Sequence, residues 1–136
     1  MRAYVRKAHY HETDQMGIIH HANYIRWMEE ARVDFMEQMG FGYDKMEAEG
    51  IISPVLSLSC EYKSMTRFGD EVEIDVTIRR YTGIRMELGY EIRDRATGEI
   101  RVTASSSHCF LNREGKPVSL KRADPACDAL FRQAMA

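Results

Sequence analysis

Apolar side chains recur every three or four positions across residues 24–39, which is the spacing of one buried helix face. The stripe consists of Tyr24, Met28, Ala31, Phe35 and Met39, widened by Ile25 and Met36. Charged side chains fill the opposite face. Asn23 is a good N-cap and Gly40 is a good residue for a helix end, so the pattern predicts a helix of about four turns.

Further along the chain the hydrophobic period changes to two, which is typical of strands with one buried face. Alternating runs cover residues 56–63, 71–79, 86–93 and 99–111. Residues 81–83 and 94–99 predict turns that join consecutive strands as antiparallel hairpins. We also expect a strand within residues 3–10 and a short helix over 125–135. The order predicts an α+β fold with the long helix packed on one face of an antiparallel sheet.

Composition supports one folded domain covering residues 1–136. Hydrophobic residues make up 44% of the chain and charged residues 29%, as in an average globular protein. The net charge of -2 offers no general attraction for nucleic acids. We find no apolar run long enough to span a bilayer and no signal-peptide core, so no integral membrane segment is expected.

The three cysteines, Cys60, Cys109 and Cys127, are odd in number and far apart, with no C-x-x-C pair. This usage favours a reducing compartment, and we expect a cytoplasmic protein. Strands with strong β-formers leave edges that are usually paired or covered, so a homodimer is expected.

The segment from Tyr10 to Tyr24 gathers polar residues where the first strand leads into the helix. The first turn of a helix has unpaired backbone N–H groups, which can stabilise a negatively charged oxygen. A turn at Gly17 can bring the Asp14 carboxylate opposite the N–H groups near His21, and this arrangement suits acyl transfer. From the spacing alone, an Asp near a helix start is more often a cap or turn residue than a catalytic group.

The string Asp14-Gln15-Met16-Gly17-Ile18-Ile19-His20-His21-Ala22-Asn23-Tyr24, followed by Met28-Glu29-Glu30-Ala31-Arg32, resembles the signature of hotdog-fold acyl-CoA thioesterases of the 4-hydroxybenzoyl-CoA thioesterase branch. Tyr62-Lys63, the run Arg67-Phe68-Gly69-Asp70 and a closing Phe110-Leu111-Asn112 support the resemblance, which covers nearly the whole chain. It implies a hotdog fold, in which an antiparallel sheet wraps around one long central helix. It also implies hydrolysis of an acyl-CoA thioester to free acid and coenzyme A.

The resemblance implies roles for individual residues. Asp14 would be the nucleophile or general base, the backbone N–H of His21 would polarise the thioester carbonyl, and Gly17 would supply the turn. The His21 side chain and Tyr10 are implied as further catalytic groups. The sequence departs from the branch at His20, where Tyr or Phe is common, and in Ser64-Met65-Thr66, where a Pro is common.

Coenzyme A carries phosphate groups, so the substrate site needs cations near its mouth. Lys63, Arg67 and Arg85 lie near predicted strand ends and are the candidates, and Asn23 is included among the substrate-binding residues. No cofactor is implied. The histidines invite a metal site, but adjacent His20 and His21 cannot easily bind one ion together, and we expect none.

Two other functions stay open from the sequence: a thioesterase acting on acyl-carrier protein, and a hotdog protein that binds acyl-CoA without hydrolysing it. The resemblance implies a homodimer or a dimer of dimers, that is, a homotetramer. The acyl group cannot be read from the sequence, because one methylene changes selectivity by only about 1–3 kcal/mol.

Overall fold

A computed structural model describes residues 1–135 of the chain. Its strands are β1 (Tyr4–Lys7), β2 (Val55–Tyr62), β3 (Glu71–Tyr81), β4 (Arg85–Asp94) and β5 (Ile100–Cys109). Its helices are α1 (His21–Gln38), α2 (Tyr43–Ala48), α3 (Leu120–Ala123) and α4 (Pro125–Met135), and a 3₁₀ turn covers Tyr10–Glu12. The predicted strands and the helix over 125–135 are confirmed, whereas α2, α3 and the 3₁₀ turn have no counterpart in the predictions.

The five strands form one antiparallel sheet in the order β1-β3-β4-β5-β2. β1 pairs with the start of β3, with Tyr4 opposite Ile74 and Lys7 opposite Glu71. β2 leaves one edge of the sheet open. This arrangement of an antiparallel sheet with helices confirms the predicted α+β class.

Contacts divide the chain into two compact units. The first comprises Met1–Phe35, Cys60–Val76 and Tyr90–Ala104, and the second holds the rest of the described chain. The prediction of one domain over residues 1–136 is not tested by this division and stays a prediction. No helix within the described residues combines the length and the apolar character needed to cross a membrane.

The core of the first unit lies between one face of α1 and the strands of that unit. Its fully buried side chains include Trp27, Met28, Ile74, Ile92 and Val102. The predicted stripe on α1 is correct except for Ile25, which is 39% exposed, and Met39, which is half-buried and follows the end of the helix, while Trp27 is completely buried. Trp27 is buried because its indole N–H finds a carboxylate, Glu12, at 2.8 Å, so the polar edge of the ring is satisfied.

The second unit has its own core, formed by apolar side chains from its strands and helices. Tyr81 of β3 contacts the rings of both Phe110 and Phe131, with centroids 6.3 and 5.4 Å away. The hydroxyl of Tyr81 donates to a carboxylate oxygen of Asp128 on α4. Burial and this hydrogen bond raise the pKa of Tyr81. His108 is 1% exposed and its Nε2 lies 2.7 Å from the hydroxyl of Ser106, so it is a hydrogen-bonded histidine of this core.

The predicted buried face of β2 is wrong for the single chain. Leu56 and Tyr62 are 45% and 48% exposed, and Leu58 and Cys60 are only half-buried. β2 is an edge strand, and in the described chain its apolar face is not covered along its whole length.

Candidate active site

The segment that carries Asp14 is a tight loop closed by its own backbone. Thr13 and Ile19 form an antiparallel bridge, and the N–H of Asp14 donates to the carbonyl of Ile18 at 2.9 Å. Gly17 has a φ of 76°, a left-handed conformation that side chains other than glycine rarely adopt, and it donates to the carbonyl of Asp14 at 3.0 Å. The predicted turn at Gly17 is therefore present.

Asp14 is half-buried, and its carboxylate is held by one hydrogen bond. The backbone N–H of Met16 donates to Oδ1 at 2.8 Å. Within residues 1–135 no group donates to Oδ2. One oxygen is fixed by the loop while the other stays available for chemistry.

Helix α1 begins at His21, three residues before the predicted stripe, so Asn23 is not its N-cap. The imidazole Nδ1 of His20 accepts a hydrogen bond from the N–H of Ala22 at 3.2 Å, and the carbonyl of His20 accepts one from Asn23 at 2.9 Å. These bonds satisfy two of the N–H groups that a helix start leaves unpaired. No acceptor within the described chain contacts the N–H of His21.

A cavity of about 140 Å³ lies between the loop and the start of α1 in the first unit. Asp14, His21, Tyr24, Tyr62 and Ser64 line it together with the apolar side chains of Met16, Ile18, Ile19 and Met65. The lining of the cavity that Asp14 borders is thus largely apolar. Electrostatic interactions are stronger in such a setting than in water.

Aromatic rings form one wall of the cavity. The ring of Tyr62 lies 5.7 Å from that of Tyr24 and 6.1 Å from the imidazole of His21. The Tyr62 hydroxyl donates to the carbonyl oxygen of His21 at 3.3 Å. His20 stacks on His21 at 4.3 Å. Tyr62 therefore supports the residue at the helix start.

The structure places Asp14 and His21 in the cavity lining and Gly17 in the loop that carries Asp14, whereas Tyr10 and Asn23 lie outside the lining. Tyr10 is 75% exposed, and its ring lies 5.5 Å from that of Phe68. Asn23 is 7% exposed; its amide donates to the carbonyl of Glu12 at 2.8 Å and its Oδ1 accepts from Arg26 at 2.9 Å. Asn23 thus has internal partners for both ends of its side chain.

The three predicted phosphate-binding cations are all exposed. Lys63 forms an ion pair with Glu61 at 2.7 Å, and the backbone N–H of Arg67 donates to the Asp70 carboxylate at 3.0 Å. Arg85 is the first residue of β4 and belongs to the second unit. Residues 1–135 contain no group of three or more His, Cys, Asp or Glu side chains able to hold a metal ion.

Two residues of the site were missed in the sequence. Tyr62 lies in the alternating pattern of β2, which signals a strand but not the end that borders a cavity. Glu12 is an acid two residues before Asp14 and is only 4% exposed. Its burial depends on Arg6 and Trp27, which are six and fifteen positions away, so no local spacing indicates it.

Comparison with known proteins places these features in a family. The family model described as the thioesterase-like superfamily matches residues 8–130. The Bacillus subtilis protein named "Putative acyl-CoA thioesterase YneP" is 37% identical over 126 residues, covering 92% of this chain and 91% of the relative. The acyl-CoA thioester hydrolase YbgC of Escherichia coli O6:H1 is 29% identical over 77 residues, covering 57% of this chain and 58% of the relative.

Among solved structures, the DHNA-CoA thioesterase from Staphylococcus aureus superimposes with a TM-score of 0.92 at 34% sequence identity. The match covers 97% of this chain and 89% of that protein.

Proposed function

The chain belongs to the thioesterase-like superfamily, and we propose that it is an acyl-CoA thioesterase whose reaction takes place in the cavity beside Asp14. The observation that carries this proposal is that two residues lining one small cavity, Asp14 and His21, each keep a polar group without a hydrogen-bond partner among the described residues. These groups are the free Oδ2 of Asp14 and the free backbone N–H of His21. A base or nucleophile opposite a hydrogen-bond donor is what cleavage of a thioester requires.

In the proposed reaction the thioester carbonyl oxygen accepts a hydrogen bond from the N–H of His21. The helix dipole adds to this stabilisation as negative charge develops on that oxygen. Asp14 then either attacks the carbonyl carbon, forming an anhydride that water hydrolyses, or removes a proton from water that attacks directly. Both routes break the carbon–sulfur bond, release coenzyme A and leave the free acid. The His21 imidazole, on the cavity wall, is proposed to assist the proton transfers.

We propose that Tyr10 contacts the substrate from the solvent side of the loop, since it begins the 3₁₀ turn that leads to Asp14 and its ring is exposed. We propose that Asn23 contributes to the substrate site by holding the start of α1, because its side-chain amide donates a hydrogen bond to the carbonyl of Glu12. Lys63, Arg67 and Arg85 are proposed to bind the phosphates of coenzyme A. Their exposure supports this role, because exposed cations are accessible to phosphate groups and form strong charge-assisted hydrogen bonds with them.

The quaternary structure and fold are part of the same proposal. We propose one hotdog domain over residues 1–136 with α1 as its long central helix, and a homodimer or dimer of dimers that completes the cavity. The open edge of β2 and its exposed apolar side chains, Val55 and Leu56, support assembly. The three free cysteines support a cytoplasmic location.

The decisive experiment measures thiol release from a panel of short, long and aromatic acyl-CoAs and from acyl-carrier protein. Wild type should hydrolyse at least one CoA thioester, and Asp14→Asn should lower kcat by about 100-fold or more without unfolding. Asp44→Asn, an exposed acid on α2, is the matched control and should behave as wild type. Turnover of carrier-protein substrates alone would reassign the substrate, and tight acyl-CoA binding without turnover would indicate a binding protein.

A further inference from the structure

Glu12 is a buried carboxylate whose two oxygens accept four hydrogen bonds. Oε1 accepts from the backbone N–H of His9 at 2.8 Å and from Nη1 of Arg6 at 2.9 Å. Oε2 accepts from Nη2 of Arg6 at 2.7 Å and from the indole N–H of Trp27 at 2.8 Å. The side chain thus ties β1 to the inner face of α1.

The backbone of Glu12 makes a second set of contacts at the helix start. Its carbonyl oxygen accepts from the N–H of His20 at 2.9 Å and from the side-chain amide of Asn23 at 2.8 Å. Glu12 is two residues from Asp14 along the chain, and His20 is next to His21. One residue therefore links the segment that carries the carboxylate to the segment that carries the free N–H.

The charge of this group argues for more than packing. An ionised carboxylate is costly to bury, and a buried ion pair is often no more stabilising than apolar side chains of similar size. Here the cost is met by Arg6, whose side chain is 13% exposed and lies 5.3 Å over the Trp27 ring. The Arg6 guanidinium and the Glu12 carboxylate form a bidentate contact with fixed geometry. This contact holds the orientation of the Glu12 side chain.

We propose that Glu12 is a positioning residue that holds Asp14 at the working distance from the N–H of His21. It does not line the cavity and acts only through the loop and the helix start. The inference rests on the proposed thioesterase function. A displacement of about 1 Å of a reacting group can cost about 100-fold in rate, so loss of this brace should appear in kcat.

The test compares Glu12→Gln with Glu30→Gln. Glu30 accepts from the Nε of the same Arg6 at 3.0 Å and from the Tyr4 hydroxyl at 2.9 Å, but it makes no contact with the Asp14 loop. In Glu12→Gln the amide NH₂ faces N–H donors, so at least one hydrogen bond is lost. We expect kcat to fall about tenfold or more with KM changed by less than about twofold, and Glu30→Gln to keep both parameters.

A double variant separates positioning from loss of folded protein. In the Asp14→Asn background, Glu12→Gln should change the residual rate by less than about twofold, because there is no longer a carboxylate to position. An unfolding effect would lower the residual rate by the same factor as in wild type. Unchanged kcat in folded Glu12→Gln, or a change in KM alone, would overturn the positioning role of Glu12. Turnover by wild type in the same assay would still support the proposed function.

Trp27→Phe decides the matter if Glu12→Gln does not fold. It keeps a six-membered aromatic ring in the core and removes the indole N–H that donates to Glu12, together with the five-membered ring that carries it. A fall in kcat of about threefold or more at constant KM would support positioning, and wild-type kcat in a folded Trp27→Phe would overturn it. If wild type itself releases no thiol from any substrate, the failure belongs to the proposed function and not to Glu12.

Discussion

The backbone N–H of Met16 donates a 2.8 Å hydrogen bond to Oδ1 of Asp14, so the loop fixes the rotamer of the carboxylate that it carries. A short side chain is needed for this bond between residues two apart, which is why Asp is well suited to such turns. The bond also fixes the direction in which Oδ2 points, and that oxygen has no donor within residues 1–135. Two properties of Asp14, its charge and its length, are therefore separable by mutation.

Asp14→Glu keeps the charge but lengthens the side chain by one carbon–carbon bond, about 1.5 Å. We expect kcat to fall about 100-fold because the carboxylate oxygen leaves its position and the bond to Met16 is lost. Steady-state thiol release and urea unfolding of the same preparation provide the measurement. Activity close to wild type would mean that the carboxylate is not positioned by the loop.

Gly17→Ala should destabilise the protein and slow the enzyme. Gly17 has a φ of 76° with no atom within 4 Å of an added Cβ, so the cost is backbone strain of about 1 kcal/mol. Gly98→Ala is a closely matched control, since Gly98 also has a φ of 76° and open space but lies in the turn after β4. Urea unfolding should show similar losses for both variants, while kcat should fall only for Gly17→Ala. Equal effects on kcat would argue against a catalytic role for the loop geometry.

The hydroxyl and the ring of Tyr62 are expected to affect the kinetic parameters differently. Tyr62→Phe loses the 3.3 Å bond to the His21 carbonyl and should lower kcat only about two- to fivefold, since one neutral hydrogen bond contributes about 1 kcal/mol or less. Tyr62→Ala removes a cavity wall and should raise KM as well. Michaelis curves for both variants test this, and a larger loss in Tyr62→Phe than in Tyr62→Ala would contradict it.

Glu12 should make the free energy of unfolding depend on pH in the acid range. Burial acts to raise the pKa of its carboxyl, but hydrogen bonds from Trp27, the His9 N–H and Arg6 outweigh burial and hold the pKa below its usual value of 4.5. A carboxyl whose pKa is lowered by folding stabilises the protein above its unfolded pKa, and this stabilisation is lost as the pH falls through the folded value.

The difference in unfolding free energy between wild type and Glu12→Gln should therefore be largest near neutral pH. It should shrink progressively below about pH 4.5. Urea titrations at a series of pH values measure the difference directly, and titration of other carboxyls cancels in it. A difference that stays constant down to the acid transition would mean that folding leaves the pKa of Glu12 unchanged, and a difference that grows as the pH falls would mean that folding raises it.

The parts of the fold that could be predicted are those where burial repeats along the chain. The stripe on α1 and the alternation in β3 and β4 follow directly from one face meeting a core. The start of α1 could not be located in this way, because His20 and not Asn23 provides the cap, and an imidazole is not among the common capping side chains. Capping depends on one local hydrogen bond and leaves no periodic trace.

The site was predictable only where its residues are close in sequence. Asp14, Gly17 and His21 fall within one loop and the following helix start, so a short motif contains them. Tyr62 and the partners of Glu12 reach the site through tertiary packing. The hydrophobic periods of strands and helices, about two and about 3.6 residues, carry no information about contacts between distant segments.

The open edge of β2 has a consequence for how the enzyme responds to dilution. Val55 and Leu56 are each 45% exposed in the single chain, so a second chain covering them would add stability that depends on the concentration of subunits. The melting temperature would then be a property of the solution as well as of the sequence. By the same mass action, the fraction of assembled enzyme would be high when the protein is abundant and would fall when the protein is scarce.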